Sequence, residues 1–196
     1  KSPLSPAFTL DDNATENSKI VKIEKILSIS SYIIYSINIK IKLAGFMQKN
    51  VEKMSFYYSP NFNVQKRQSS KIKYIILHYT GMVSDLSAIK KLCSSKSKVS
   101  CHYYVKKNGE IINIVPDLYT SWHAGISSWK KDNFLNSKSI GIEISNPGHE
   151  HGYKNFPKIQ IKSLVKLIKK LKKKFKINNR HILGHSDIAP FRKKDP

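Results

Sequence analysis

The sequence predicts an α/β domain, with a mixed central β-sheet flanked by helices. Three stretches carry that expectation. Ile72-Lys73-Tyr74-Ile75-Ile76-Leu77 is a β-branched and aromatic run of strand length, read as a buried strand. Two further apolar runs are joined through Lys107-Asn108-Gly109, and Asn-Gly between such runs marks a hairpin, since both residues tolerate the positive φ of a tight turn. Residues 157–176 carry apolar side chains at helical spacing opposite a face of lysines. Strands and helices mix without strict alternation, so the sheet is expected to be mixed.

Size and composition bound the function. The chain has 196 residues, of which 40% are hydrophobic, enough for one globular domain with a sizeable core. Its 35 Lys+Arg against 13 Asp+Glu give a net charge of +22. Such an excess permits nucleic acid, an anionic membrane or an anionic polymer as partner. Compositional drift gives the same excess, because Lys, Ile, Asn and Ser abound even in stretches that read as structural. Cys93 and Cys101 are too few for a disulfide framework and are expected as free buried thiols, or as a local disulfide in an oxidising compartment.

Residues 1–53 read differently from the rest. The first 19 are rich in Ser, Pro, Asp and Asn without periodicity, as in a loop or disorder. The apolar run at 26–39 is too short to span a bilayer as a helix. Leu43-Ala44-Gly45 resembles the run before a lipoprotein cysteine, but position 46 is Phe. Asp11, Asp12, Glu16 and Glu24 are wrong for a short basic leader. Met54 opens a segment that reads as a natural start, so residues 1–53 are expected to be an N-terminal extension, disordered or read through from upstream. The working domain is then 54–196, truncated at its C-terminal end.

From residue 71 the elements follow in order. The strand at 72–77 delivers His78 at its end, and Thr80-Gly81 turns the chain. A short helix follows at 84–93, with Ser84 or Asp85 as N-cap and Leu86, Ile89 and Leu92 on one face. The hairpin strands come next, with His102 read as a core histidine. Trp122-His123-Ala124-Gly125 falls in a loop, and Ser139-Ile140-Gly141-Ile142-Glu143-Ile144 is a strand carrying one acid. The stripe of the long helix is read as Ile161, Leu164, Val165, Ile168, Leu171 and Phe175. Ile182-Leu183 then leads into a turn-rich tail.

That tail concentrates chemistry. His185 and Asp195 are imidazole and carboxylate donors of the kind zinc takes, and Lys193 brings a charge to the same neighbourhood. His78, at the end of a rigid strand, is the best third ligand. Asp187 is a competing acid only two residues from His185. Widely separated ligands are no local motif, and the residues alone leave each histidine open to a packing role.

Five ordered blocks add a resemblance: Leu77-His78-Tyr79-Thr80-Gly81, Trp122-His123-Ala124-Gly125, Ile140-Gly141-Ile142-Glu143, Gly184-His185-Ser186-Asp187-Ile188-Ala189-Pro190 and Arg192-Lys193-Lys194-Asp195-Pro196. Together they resemble the zinc-dependent N-acetylmuramoyl-L-alanine amidases of type 2, related to the peptidoglycan recognition proteins, from about residue 58 to 196. Asn146-Pro147-Gly148-His149-Glu150 resembles the AmiD-like branch. The resemblance implies the single-domain amidase fold, with Zn2+ on His78, His185 and Asp195. It implies Glu143 as general acid/base and Lys193 beside the developing oxyanion, with Asp187 left to a turn or supporting role. Trp122, His123 and Asn146 are expected to contact substrate, while His149, His151 and His181 receive no role. It implies hydrolysis of the amide between N-acetylmuramic acid and L-alanine in peptidoglycan or muropeptides, in bacterial cell-wall turnover or recycling. A monomer is expected, with no transmembrane span and no nucleic-acid partner, in the cytoplasm or alternatively in the periplasm or cell envelope. The competing readings are a non-catalytic peptidoglycan-binding module of the same fold and a basic nucleic-acid-binding protein using the lysine helix.

Overall fold

A computed structural model of the chain describes residues 55–196; the expectations on residues 1–53 lie outside these. The described residues form a six-stranded mixed sheet. Its strands are β1 (Ser55–Phe56), β3 (Tyr74–Tyr79), β4 (Tyr103–Val105), β5 (Ile111–Asn113), β9 (Ser139–Ile144) and β10 (Ile182–Gly184). They lie in the order β1-β5-β4-β9-β3-β10, and all neighbours are parallel except the β4–β5 hairpin. The remaining short strands pair two by two: β2 (Phe62–Asn63) with β6 (Thr120–Ser121), and β7 (Ser128–Trp129) with β8 (Asp132–Asn133).

Alternation along β3 and β9 divides the molecule. Ile75, Ile140, Ile142 and Ile144 point to one face, where Leu164, Leu167, Leu171 and Phe175 of the long helix cover them. Tyr74 and Ile76 point to the other face, against Ala124, Leu135, Leu183 and Ile188. Side chains two apart share a face, so His78 and Glu143 belong with this second side, away from the long helix. A third cluster joins helix α1 (Asp85–Leu92) to the hairpin through Ile89, Leu92, Tyr104 and Ile112.

Several expectations shift. β3 runs to Tyr79, so His78 lies within the strand rather than after it. In α1, capped by Ser84, the buried residues are Ala88, Ile89 and Leu92, whereas Leu86 is exposed. The long helix, α2 (Lys158–Phe175), buries Gln160, Leu164, Leu167, Leu171 and Phe175, whereas Ile161 and Val165 face solvent. Its stripe is therefore rotated from the expected one. Gln160 is tolerated inside because its Nε2 donates to the Val105 and Ser145 carbonyls at 3.1 and 3.0 Å. Cys93 and Cys101 are free thiols, half-buried and buried respectively.

The tail forms a one-turn helix, α3 (His185–Ile188). Asp187 caps it by accepting from the Gly184 N–H at 2.7 Å, so this acid starts the helix that carries His185.

Candidate metal and catalytic site

Three side chains from distant parts of the chain converge. His78 comes from the central strand β3, His185 from the first residue of α3, and Asp195 from the extended tail held by a Ser186 N–H bond to the Asp195 carbonyl (2.8 Å). Nδ1 of His78 lies 2.9 Å from Nδ1 of His185, and Oδ2 of Asp195 lies 3.3 and 3.1 Å from the two. All three residues are buried.

Their outer partners decide which atoms carry protons. Nε2 of His185 donates to the Ala124 carbonyl at 3.1 Å, leaving its Nδ1 a lone pair. The proton on His78 is fixed through three bonds. The Leu135 carbonyl only accepts, so Ser139 Oγ donates to it at 2.6 Å. Ser139 Oγ then accepts from Nε2 of His123 at 3.1 Å, so Nδ1 of neutral His123 accepts from Nε2 of His78 at 3.0 Å. Burial, followed by the neighbouring charge of His78, pushes His123 well below the ordinary imidazole range, which keeps it neutral. His78 is pushed down to about 4, first by burial, against the opposing pull of the adjacent Asp195 carboxylate. Burial alone would raise the Asp195 carboxyl; its close approach to the His185 and His78 rings outweighs that and leaves it below the usual carboxylate range.

The result is a cluster of acceptors. Two imidazole lone pairs and a carboxylate oxygen meet with no proton among them, and such a set calls for a cation. A tetrahedral zinc with bonds of about 2.0–2.2 Å sets its donors roughly 3.4 Å apart, and the separations of 2.9–3.3 Å fall within a few tenths of that. The residues fit a metal ion.

A cavity of about 470 Å³ opens in front of the triad. Glu143 and Lys193 line it together with Tyr79, His149 and Arg192. Glu143 pairs in register with His78 across β9 and β3, and its Oε2 is buried without a hydrogen-bond partner. Burial, then the charge of Asp195, raises its carboxyl to about 8, with Lys193 opposing the shift. A carboxyl in this range can hold and release a proton near neutrality.

The other expected site residues are placed as follows. His123 reaches the cavity wall and is 8% exposed, with both ring nitrogens bonded as above. Trp122 lines a different cavity of about 800 Å³, with its indole N–H donating to Asn63 Oδ1 at 2.7 Å. Asn146 is buried; its amide donates to the Lys154 carbonyl (2.6 Å) and accepts from the Gly148 N–H (3.0 Å), so it shapes its own loop. His102 is fully buried, accepting from the Gly141 N–H and donating to the Tyr119 carbonyl.

Four contributors had no assigned role in the sequence. Ser139 terminates the chain of bonds behind His78. Gly141 leaves room for His123. Arg192 clamps the carbonyls of Ala124 and Ile126, both at 2.8 Å, and so fixes the acceptor of His185. Tyr79 donates to Nδ1 of His149 at 2.8 Å and builds the cavity rim. Only Gly141 carried a local signal, since a glycine inside a strand marks close approach of another group.

A buried His-His-Asp triad that fits a metal ion, faced by a carboxyl with an unpartnered oxygen, is a layout suited to a hydrolase. Residues 68–196 match the family described as N-acetylmuramoyl-L-alanine amidase, and the chain belongs to that family. It is 36% identical over 138 residues to the N-acetylmuramoyl-L-alanine amidase AmiD of Escherichia coli, spanning 64% of this chain and 49% of that protein. It is 35% identical over 100 residues to the 1,6-anhydro-N-acetylmuramyl-L-alanine amidase AmpD of Haemophilus influenzae, spanning 50% and 52%. The chain thus spans about half the length of these curated relatives. Among solved structures, E. coli AmiD in complex with anhydro-N-acetylmuramic acid-L-Ala-D-gamma-Glu-L-Lys superposes with a TM-score of 0.57 at 36% identity, covering 64% of this chain and 52% of that one. An AmpD crystal structure gives 0.64 at 22% identity, covering 74% and 88%, a likeness of fold alone.

Proposed function

We propose that the chain is a zinc-dependent amidase that cleaves the bond between the lactyl group of N-acetylmuramic acid and L-alanine in muropeptides. The convergence of three proton-free donors on one point, beside an unpartnered carboxyl, is the observation that carries this reading. A zinc ion held by His78, His185 and Asp195 would supply Lewis acidity and lower the pKa of water at the site towards neutrality.

This chain's own residues do the rest. Glu143 takes a proton from the attacking water at its unpartnered Oε2 and hands it to the departing amine of L-alanine, so the proton ledger closes within one turnover. Lys193 stands beside the carbonyl oxygen as negative charge develops, where a preorganised donor is worth roughly 3–4 kcal/mol. His123, Ser139 and the Ala124 carbonyl hold the two imidazoles in the required tautomers. Burial of the triad excludes bulk water and strengthens each of these charges.

On this reading the enzyme works as a monomer on soluble muropeptides in the cytoplasm. Among the described residues no helix is long and apolar enough to cross a membrane. The test is mass spectrometry of muropeptides incubated with the protein, with and without a chelator. Release of free stem peptide, abolished by chelation and restored by zinc, is the expected result. No release with zinc present would end the enzyme reading and leave the peptidoglycan-binding module in its place.

A further inference from the structure

The face of α2 turned away from the sheet has no role in the site. Between Glu150 and Asp187 the sequence contains ten lysines and no acidic residue. In the helix, Lys158, Lys162, Lys169, Lys170 and Lys173 are all exposed. They share one face over roughly 23 Å of helix, with 158/162, 169/173 and 170/173 three or four apart, so like charges repel one another. At the end of the row Lys174 reaches Asp117 at 2.7 Å. No core requirement explains this row, because the buried stripe of Leu164, Leu167, Leu171 and Phe175 lies on the opposite side of the helix.

Two further observations select the partner. Ile159, Ile161 and Val165 stand 56%, 39% and 42% exposed among the lysines. A lipid interface takes up apolar atoms beside its anionic headgroups, whereas the backbone of a nucleic acid does not. In addition, α2 covers the sheet face opposite His78 and Glu143. A plane touching α2 therefore leaves the catalytic cavity open on the far side. We propose that the lysine face of α2 docks the protein on an anionic lipid bilayer, with the active site turned away from the membrane. This goes beyond the amidase reading and is tested without substrate.

The experiment is sedimentation of the full chain with phosphatidylcholine vesicles, with and without phosphatidylglycerol. Binding is expected only to the anionic vesicles, and to weaken with ionic strength. A lysine near such a surface is worth about fivefold in partitioning. Replacing these five lysines by glutamine should then weaken binding by about three orders of magnitude or more. The same change at Lys71, Lys90, Lys96, Lys98 and Lys131 should cost less than about tenfold, because these exposed lysines lie outside α2. Acetylation footprinting of the unmodified protein guards against a misfolded variant: vesicles should protect the helix lysines more than this second set. Failure to bind anionic vesicles would overturn the proposal, as would equal losses or equal protection for the two sets. Tighter retention on duplex DNA than on vesicles through the same five lysines would overturn it in favour of nucleic acid.

Discussion

Replacing Gly141 by alanine tests the support behind the metal site, at a position that touches neither metal nor substrate. Gly141 sits in the middle of β9, opposite Ile76, and its φ is outside the left-handed region, so the backbone itself accepts alanine. The obstacle is His123. A Cβ at Gly141 would lie 2.6 Å from both Cδ2 and Nδ1 of the His123 ring, and closer still to Cγ. Ordinary carbon contacts need about 3.5–4.0 Å, so the ring must retreat by roughly 1 Å. Anchored at 3.0 Å to His78 and 3.1 Å to Ser139, it cannot do so and keep both bonds. Overpacking costs about 1–3 kcal/mol, and two lost hydrogen bonds add about 1 kcal/mol each. A total near 4 kcal/mol lowers Tm by roughly 10 °C in a domain of this size. Loss of the partner that orients His78 should also weaken zinc binding about 10–100-fold. Thermal melts with chelator present, and competition against a chromophoric chelator, read the two effects separately. In a His123→Ala background the added methyl finds space, so the cost of Gly141→Ala should fall by more than half. Additive costs in the double variant, or a single variant that melts within about 2 °C of the parent, would refute the steric argument.

Other perturbations separate the roles within the site. Lys193→Ala should lower turnover by about 10²-fold or more with zinc retained, whereas His78→Ala should lose the metal, both read by zinc content and single-turnover rates. Equal metal loss in the two would remove the distinction. Glu143→Gln should stabilise the metal-free protein at pH 8 and not at pH 5, by about 1–3 kcal/mol. The sign follows from a raised folded-state pKa: the protonated acid is favoured on folding, so its stability is present at low pH and lost as pH rises towards about 8. Melts of both proteins across that range decide it. Asp187→Ala removes the cap of α3 and should cost about 1 kcal/mol with a weakened hold on zinc, measurable by denaturant titration. Wild-type zinc affinity in that variant would show that α3 needs no cap to present His185.

How much of this was legible in the sequence depended on whether the signal was local. The strand at 139–144 was readable because Ile140, Ile142 and Ile144 alternate with smaller or polar residues and both ends are marked by polar ones. The hairpin was readable from Asn108-Gly109, where Gly109 does take φ +82°. Helix phase was less so. In α2, Ile161, Val165 and Ile168 are as apolar as Leu164, Leu167 and Leu171, so two overlapping stripes fit the pattern, and packing on the sheet chose the leucine one. In α1 the small Ala88 gave no signal, and Leu86 proved to be exposed. The triad was named from donor types in the tail and a strand-end histidine, but only the resemblance lent it weight, since ligands spaced over more than a hundred residues have no periodicity to read. The bond chain from His78 through His123 to Ser139 and the clamp of Arg192 on the 124–126 loop exist only once β3, β9 and the tail are side by side.

The parity of β3 and β9 links the two halves of the functional reading. Along β9, Ser139, Gly141 and Glu143 share one face, and each serves the site: as the end of the proton-fixing chain, as space for His123 and as the titratable carboxyl. The intervening Ile140, Ile142 and Ile144 share the other and hold α2. A shift of one residue in the β3–β9 register would exchange these sets, placing isoleucines before the His78, His185 and Asp195 cluster and a glutamate under the helix. Register is therefore a catalytic variable as well as a structural one. It is pinned twice, by isoleucine packing against α2 and by the need of His123 for the one position in β9 without a side chain. The same parity that puts catalysis on one face puts the lysine row on the opposite side of the molecule, so a contact through α2 need not obstruct the cavity.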